Sequence, residues 1–147
     1  MSKSNTWENE FLLLAFNNVS SAGIGDTTGL RGSTVAGNFY IAMHTADPGE
    51  AGVQNTSEAA YTGYTRMAVV RTSAGFTVAG NSVNLVANLD FPTCTANPGA
   101  ALTHFSIGDD AAGGGKIRWK GTLSPNVAVA VGVIPRLTTA ANLVVED

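Results

Sequence analysis

The sequence predicts a mainly β protein, an antiparallel β-sandwich of jelly-roll-like character with one N-terminal α-helix. Three observations carry this. Phe39, Ile41 and Met43 alternate with Tyr40, Ala42 and His44, the period-2 pattern of a strand in the middle of a layered β structure. From Met67 onward, short alternating segments recur between turn signals at about ten-residue spacing, the signature of sandwiches and barrels. Helical periodicity is convincing only near the N-terminus. At 147 residues the chain fits one domain, 1–147, with a helix in 1–18, a loop or arm over 19–36 and a β core over 37–147.

The elements follow in order. Asn5 to Asn17 reads as the helix: Asn5 can cap it, Glu8 stands three residues on, and Trp7, Phe11 and Leu14 repeat at i, i+4 and i+7. Leu12, Leu13 and Phe16 widen this stripe beyond one sheet face, so the helix is expected to meet both a sheet edge and a neighbouring chain. Asn18 to Gly37, rich in Ser, Gly, Thr and Asn, reads as an irregular loop. Asp47-Pro48-Gly49 stops the central strand, because proline cannot donate to a ladder. A polar excursion over Ala51–Gly63 leads through Tyr64-Thr65-Arg66 into a strand at Met67–Arg71. Phe76–Val78 and Ser82–Leu85, around Ala79-Gly80-Asn81, predict a hairpin. Leu89–Phe91, Ala101–Ile107 and Lys116–Lys120 are further strands, the last with three cations outward and Ile117 and Trp119 inward. Gly121–Pro125 reads as a turn, Val127–Val131 as an interior strand, Val133–Ile134 as a strand end stopped by Pro135, and Leu143–Val145 as a last edge strand.

Composition narrows the function classes. Only 13% of residues are charged, about half the usual share of roughly 25%, so much of the surface is neutral and suited to association. A net charge of −3 with few Lys and Arg argues against nucleic acid and anionic lipid as partners. Cys94 is the only cysteine, which excludes an internal disulfide and leaves the fold to packing. The N-terminal residues carry no apolar signal-like run and the longest apolar runs are short, so the expectation is synthesis in the cytoplasm without membrane insertion.

Chemistry-bearing residues do not assemble into a recognisable site. His44 with Asp47 would be half of an acid–base pair, but no Ser or Cys nucleophile stands in a motif. His44 and His104 lack a third metal ligand at suggestive spacing. Gly113-Gly114-Gly115-Lys116 is followed by Ile117, not Ser or Thr, so it reads as a hairpin tip and not a phosphate loop. Gly23–Gly29 has the wrong glycine spacing for a dinucleotide fingerprint. Asp26, Asp47, Glu50, Asp109 and Asp110 lack the alternating spacing of a calcium loop. Tyr40, Tyr61, Tyr64, Trp7 and Trp119 are candidates for sugar stacking, but aromatics at strand positions are more often core or interface anchors. No catalytic residue, cofactor or metal site is assigned, and the protein is expected not to be an enzyme.

The run Phe39–Gly52, continued by Glu58–Arg66, resembles small virion proteins of tailed bacteriophages, commonly labelled tail fibre or minor structural proteins. The N-terminal helix followed by Gly25–Leu30, then Phe91-Pro92 and Thr103–Gly108, extend the resemblance over nearly the whole chain. It implies a virion structural protein: a tail fibre or collar component, or a capsid decoration protein. Such a subunit is expected to assemble on the particle exterior as a symmetric homo-oligomer, a trimer favoured, touching other virion proteins. Expected contact residues are Trp7, Phe11, Leu14, Tyr61 and Tyr64. The alternative is a receptor-binding module that recognises a host-surface glycan through loops 51–63 or 108–115.

Overall fold

The computed structural model describes residues 2–140 and 142–145. Its elements are α1 (Asn5–Asn17), β1 (Asn38–His44), β2 (Met67–Val70), β3 (Phe76–Ala79), β4 (Ser82–Leu85), β5 (Leu89–Asp90), β6 (Leu102–Gly108), β7 (Ile117–Val127), β8 (Arg136–Leu137) and β9 (Val144–Val145). The protein is therefore mainly β, with antiparallel pairing and one N-terminal helix, as the residue pattern predicts. The chain forms two compact units. One gathers residues 1–38, 69–88 and 138–147, and the other gathers 39–68 and 89–137.

In the first unit, α1 packs on the β3–β4 hairpin. Ser4, not Asn5, is the N-cap: its hydroxyl accepts from the Trp7 amide N–H at 3.3 Å. Glu8, Leu12 and Phe16, spaced by four, form the buried side, and Phe16 meets Phe76 edge-on at 5.0 Å between ring centroids. The predicted stripe of Trp7, Phe11 and Leu14 lies on a half-buried flank, because the hairpin takes the Leu12–Phe16 side. The hairpin closes through Gly80-Asn81, with Gly80 at φ +60°, the first-position geometry of a type II′ turn. β9 pairs with β4, which makes it the edge strand expected at Leu143–Val145.

The helix ends at Asn18, in the left-handed region at φ 56°. No basic residue stands in its last turn. Arg71 supplies that charge from outside: its guanidinium donates to the carbonyls of Leu14 at 3.1 Å, Ala15 at 2.6 Å and Ala36 at 2.9 Å. Asn18 Oδ1 accepts the Ser33 amide N–H at 2.6 Å, so the irregular loop is pinned near both ends, and a single bridge joins Ser21 to Leu30 within it.

In the second unit β1, β6 and β7 stand in that order in one sheet. β1 pairs antiparallel with β6, placing Ile41 opposite Ile107, Met43 opposite Phe105, and His44 opposite His104. β7 pairs with β6 on its other side, Trp119 opposite Ile107. One face of these strands is apolar, with Phe39 edge-on to Trp119 at 5.7 Å. β1 and β6, flanked on both sides, are buried along most of their length; β7, at the edge, is not.

Three expectations in the C-terminal half need correction. Gly121–Pro125 is not a turn, because β7 runs through it to Val127, held by the ladder with β6. Val127–Val131 is not an interior strand. The chain beyond Val127 lies along Phe91–Cys94 through the bonds Phe91 N–H to Pro135 O, Cys94 N–H to Val133 O and Gly132 N–H to Cys94 O, all at 2.8–2.9 Å, which leaves Val131 and Ile134 facing water. The short strand follows Pro135 at Arg136–Leu137 and does not precede it; proline's lack of an N–H fits its place just before the ladder.

Replacing Arg71 by methionine removes the donors to three carbonyls while keeping most of the stem. The expected loss is about 2–3 kcal/mol, read as a lower urea midpoint with an unchanged slope.

Candidate functional site

The second face of β1 and β6 carries Tyr40, Ala42 and His44 opposite Gly108, Ser106 and His104. The excursion after β1 covers it with polar side chains, so every group there needs a partner inside the protein. Between Ala51 and Val70 the only ionic side chains are Glu58 and Arg66. They meet in a fork: Arg66 Nε donates to Glu58 Oε1 at 2.7 Å and Nη2 to Oε2 at 2.8 Å. Arg66 Nη1 also donates to the Asp110 carbonyl at 2.9 Å, and Nη2 to the Gly113 carbonyl at 2.6 Å. One guanidinium thus joins loop 51–63 to loop 108–115. Its side chain is 2% exposed and that of Glu58 17%. The bonds to Glu58 hold the guanidinium's pKa further up, against the desolvation that pulls it down.

Gln54 extends the fork. It is fully buried; Nε2 donates to the Tyr40 carbonyl at 3.0 Å, while Oε1 accepts from Asp110 N–H at 3.1 Å and from Arg66 Nη1 at 3.4 Å. A Cβ at Gly108 would lie 2.1 Å, and one at Gly115 2.3 Å, from Gln54 side-chain atoms, so these two glycines leave the room that its amide fills. The Tyr64 hydroxyl donates to Glu58 Oε1 at 3.0 Å and accepts from Met43 N–H at 3.0 Å; burial first, then the Glu58 charge, drives its pKa upward. His44 completes the network, with Nδ1 2.9 Å from the Thr56 carbonyl and Nε2 2.8 Å from Ser106 Oγ. Burial holds its pKa below the usual histidine value. Among the described residues no buried side-chain polar atom lacks a partner.

The singled-out residues are mostly kept apart. His44 and Asp47 do not pair: Asp47 binds Lys120 at 3.1 Å and the Gly49 amide N–H at 2.8 Å. His104 Nδ1 bonds Thr103 Oγ1 at 2.8 Å. Glu50 also holds Lys120, at 3.0 Å, Asp109 holds Arg118 at 2.7 Å, and Asp26 turns onto Thr28. Each carboxylate named for a calcium site thus has its own local partner, Asp110 excepted. Among the described residues no group of three His, Cys, Asp or Glu side chains is placed to hold a metal ion.

Of the aromatics, the structure brings Tyr61 and Tyr64 together inside the second unit, ring centroids 5.4 Å apart, with Phe91 stacked on Tyr64 at 6.2 Å. Tyr61 is 3% exposed and donates to the Pro92 carbonyl at 2.9 Å, and burial pushes its pKa up to about 12. Trp7 and Phe11 lie in the first unit, 6.2 Å apart, and with Leu14 they stay half-buried. A hollow of about 240 Å³ beside Tyr61, lined by Thr45, Ala59, Pro98 and Leu102, has Glu58 as its one ionic group, and that group is already held by Arg66.

Sequence reasoning missed Arg66, Glu58 and Gln54. The available signal was the isolated pair of opposite charges in an otherwise neutral stretch.

The polar groups on this face satisfy one another, and Asp47, Glu50 and Asp109 are tied to neighbouring cations. Residues 2–145 match the family model described as Podophage GP4 fiber I protein gp80. The chain belongs to this family of phage fibre proteins and is a virion structural component. The comparison with curated proteins returns no match. Among the described residues no helix is long and apolar enough to cross a membrane.

Replacing Arg66 by alanine leaves the mostly buried Glu58 carboxylate with the Tyr64 hydroxyl as its remaining donor and takes the donors from the Asp110 and Gly113 carbonyls, with an expected cost of about 3–5 kcal/mol. Arg66→Lys keeps the charge but not the fork, and should fall between alanine and wild type in the same denaturant titration.

Proposed function

We propose that the protein is a non-enzymatic fibre subunit that acts by assembling, on the particle exterior, as a symmetric homo-oligomer in contact with other virion proteins, a trimer favoured. The observation that carries this is the apolar run from Val127 to Ile134, eight residues without a polar side chain. Its backbone is held against Phe91–Cys94, while Val131 is 66% and Ile134 51% exposed. A contiguous exposed apolar run on a chain with so few charges suits coverage by a neighbour. In the first unit, Trp7, Phe11 and Leu14 offer a second half-buried apolar flank, and of the two tyrosines expected as contacts in the second unit Tyr64 is half-buried as well. Tyr61 is buried, and the Tyr64 hydroxyl is occupied by Glu58 and Met43. Fibre-family membership supports the same reading.

One observation favours the alternative, a receptor-binding module for a host-surface glycan. The loops named for that role, 51–63 and 108–115, are held together by Arg66 and so reach a ligand already ordered. Soluble protein that binds host cells and blocks infection in excess supports that role; protein that does neither removes it.

Light scattering after size exclusion should give the purified chain a mass that is a whole multiple of 15.1 kDa, three-fold for a trimer. Val131→Ser with Ile134→Ser, or Trp7→Ser with Phe11→Ser, should reduce that mass while the circular dichroism spectrum is kept. A wild-type mass of 15.1 kDa at micromolar concentration, together with absence of the chain from purified particles, refutes the proposal.

A further inference from the structure

His44 is 0% exposed and bonded on both sides of its ring. Its Nδ1 faces a carbonyl oxygen, that of Thr56, which accepts only, so the proton of the neutral ring sits on Nδ1. Nε2 is then bare and accepts from the Ser106 hydroxyl. The two partners belong to different parts of the fold: Ser106 lies within β6, in the sheet, and Thr56 in the loop that covers that face. We propose that His44 is an acid-sensitive latch, whose protonation releases loop 51–58 from the face of β1 and β6 while the sheet stays intact.

The surroundings make a second charge hard to hold. Arg66, from the segment after the loop, is cationic and opposes a charged ring, as does His104, opposite on β6. Glu58 is the one anion facing the ring, but both its oxygens are bound by Arg66, and Tyr64 donates to Oε1 as well. A proton on Nε2 also forces the Ser106 hydroxyl to turn its own hydrogen away from its present acceptor. Water reaches the ring only when the loop on one side or the sheet on the other opens. The loop is tied to β1 by the Thr56 bond, by Thr45 N–H to Ser57 O and Ala59 N–H to Met43 O, both at 2.8 Å, and by Gln54 Nε2 to the Tyr40 carbonyl at 3.0 Å, and to Gly115 O by the Gln54 N–H at 2.8 Å. The sheet, in contrast, has the full β1–β6–β7 ladder and a packed apolar face behind it.

The direction of the effect follows from linkage. Burial lowers the ring's pKa in the closed state below its ordinary value of about 6.5, so the open state binds more protons. Closure is therefore complete above about pH 6.5 and weakens as pH falls below it, the open-to-closed ratio rising by up to about tenfold per unit until the closed-state value is reached.

The test is hydrogen exchange of the full-length protein near pH 7.5 and near pH 5, corrected for intrinsic rates. Amides of Gln54, Thr56 and Ala59 should lose protection at least several-fold at the lower pH, while those of Ile41 and Ile107 keep theirs. His44→Gln should abolish the pH dependence and His104→Gln should retain it. If His44→Gln does not fold, the ring resonances of wild-type His44 provide the second readout, and their titration should coincide with the loss of loop protection. Loop and sheet losing protection together, loop protection equal at both pH values, or a ring titration that does not track the loop would overturn the latch.

Discussion

The second unit depends on one desolvated guanidinium. Loops 51–63 and 108–115 are composed largely of Gly, Ala, Thr, Asn and Ser, and cannot build an apolar core where they meet. Gln54 joins them through Gly115 O and the Asp110 N–H, and Arg66 ties both to the sheet side with donors that reach one carboxylate, one amide oxygen and two main-chain carbonyls. A buried ion pair contributes little net stability over a well-packed apolar substitute, since desolvation offsets its attraction. Its value here is geometric. Planar, directional donors accept one arrangement of two flexible loops, and any other arrangement leaves charge buried without partners.

Arg71 plays the corresponding part in the first unit by a different route. Helix α1 ends without a cation of its own, and its last carbonyls point toward the segment after β2. Arg71 reaches Leu14, Ala15 and Ala36, joining the helix end to the end of the irregular loop with one side chain. Burial pulls the guanidinium pKa down, but carbonyl oxygens at the negative end of the helix dipole suit the charged form. Two of the chain's eight basic residues thus organise its least regular segments.

The remaining charges are mostly local pairs at the surface, Lys120 with Asp47 and Glu50, Arg118 with Asp109, and Arg136 with Asp90. Exposed pairs of this kind add little stability and are screened by salt. On β7, an edge strand, Arg118 and Lys120 also discourage indiscriminate pairing. Apolar surface, in contrast, is spread over several segments, most exposed at Val35, Val131, Val145 and Ile134.

Local pattern was enough for much of this fold. Residue alternation marked β1, the β3–β4 hairpin and β6, helical periodicity marked Asn5–Asn17, and Asp47-Pro48-Gly49 marked the end of the central strand, because each signal lies within a few residues of its effect. The run Val127–Val131 misled for the same reason. Its apolar pattern states a preference for burial without saying whether this chain or a neighbour provides the cover, and here backbone bonds to Phe91–Cys94 settle its position. The cap is Ser4 where Asn5 was expected, since both residue types suit the role and pattern alone does not separate two adjacent candidates. Least legible was the polar network: Arg66, Gln54 and Asp110 lie far apart in sequence, and nothing in their identities says that they meet. By itself the sequence determined the class, a β protein with one helix and few charges. Tertiary structure alone decided which polar groups share a buried space, since desolvation acts only on groups that the folded backbone has already brought together.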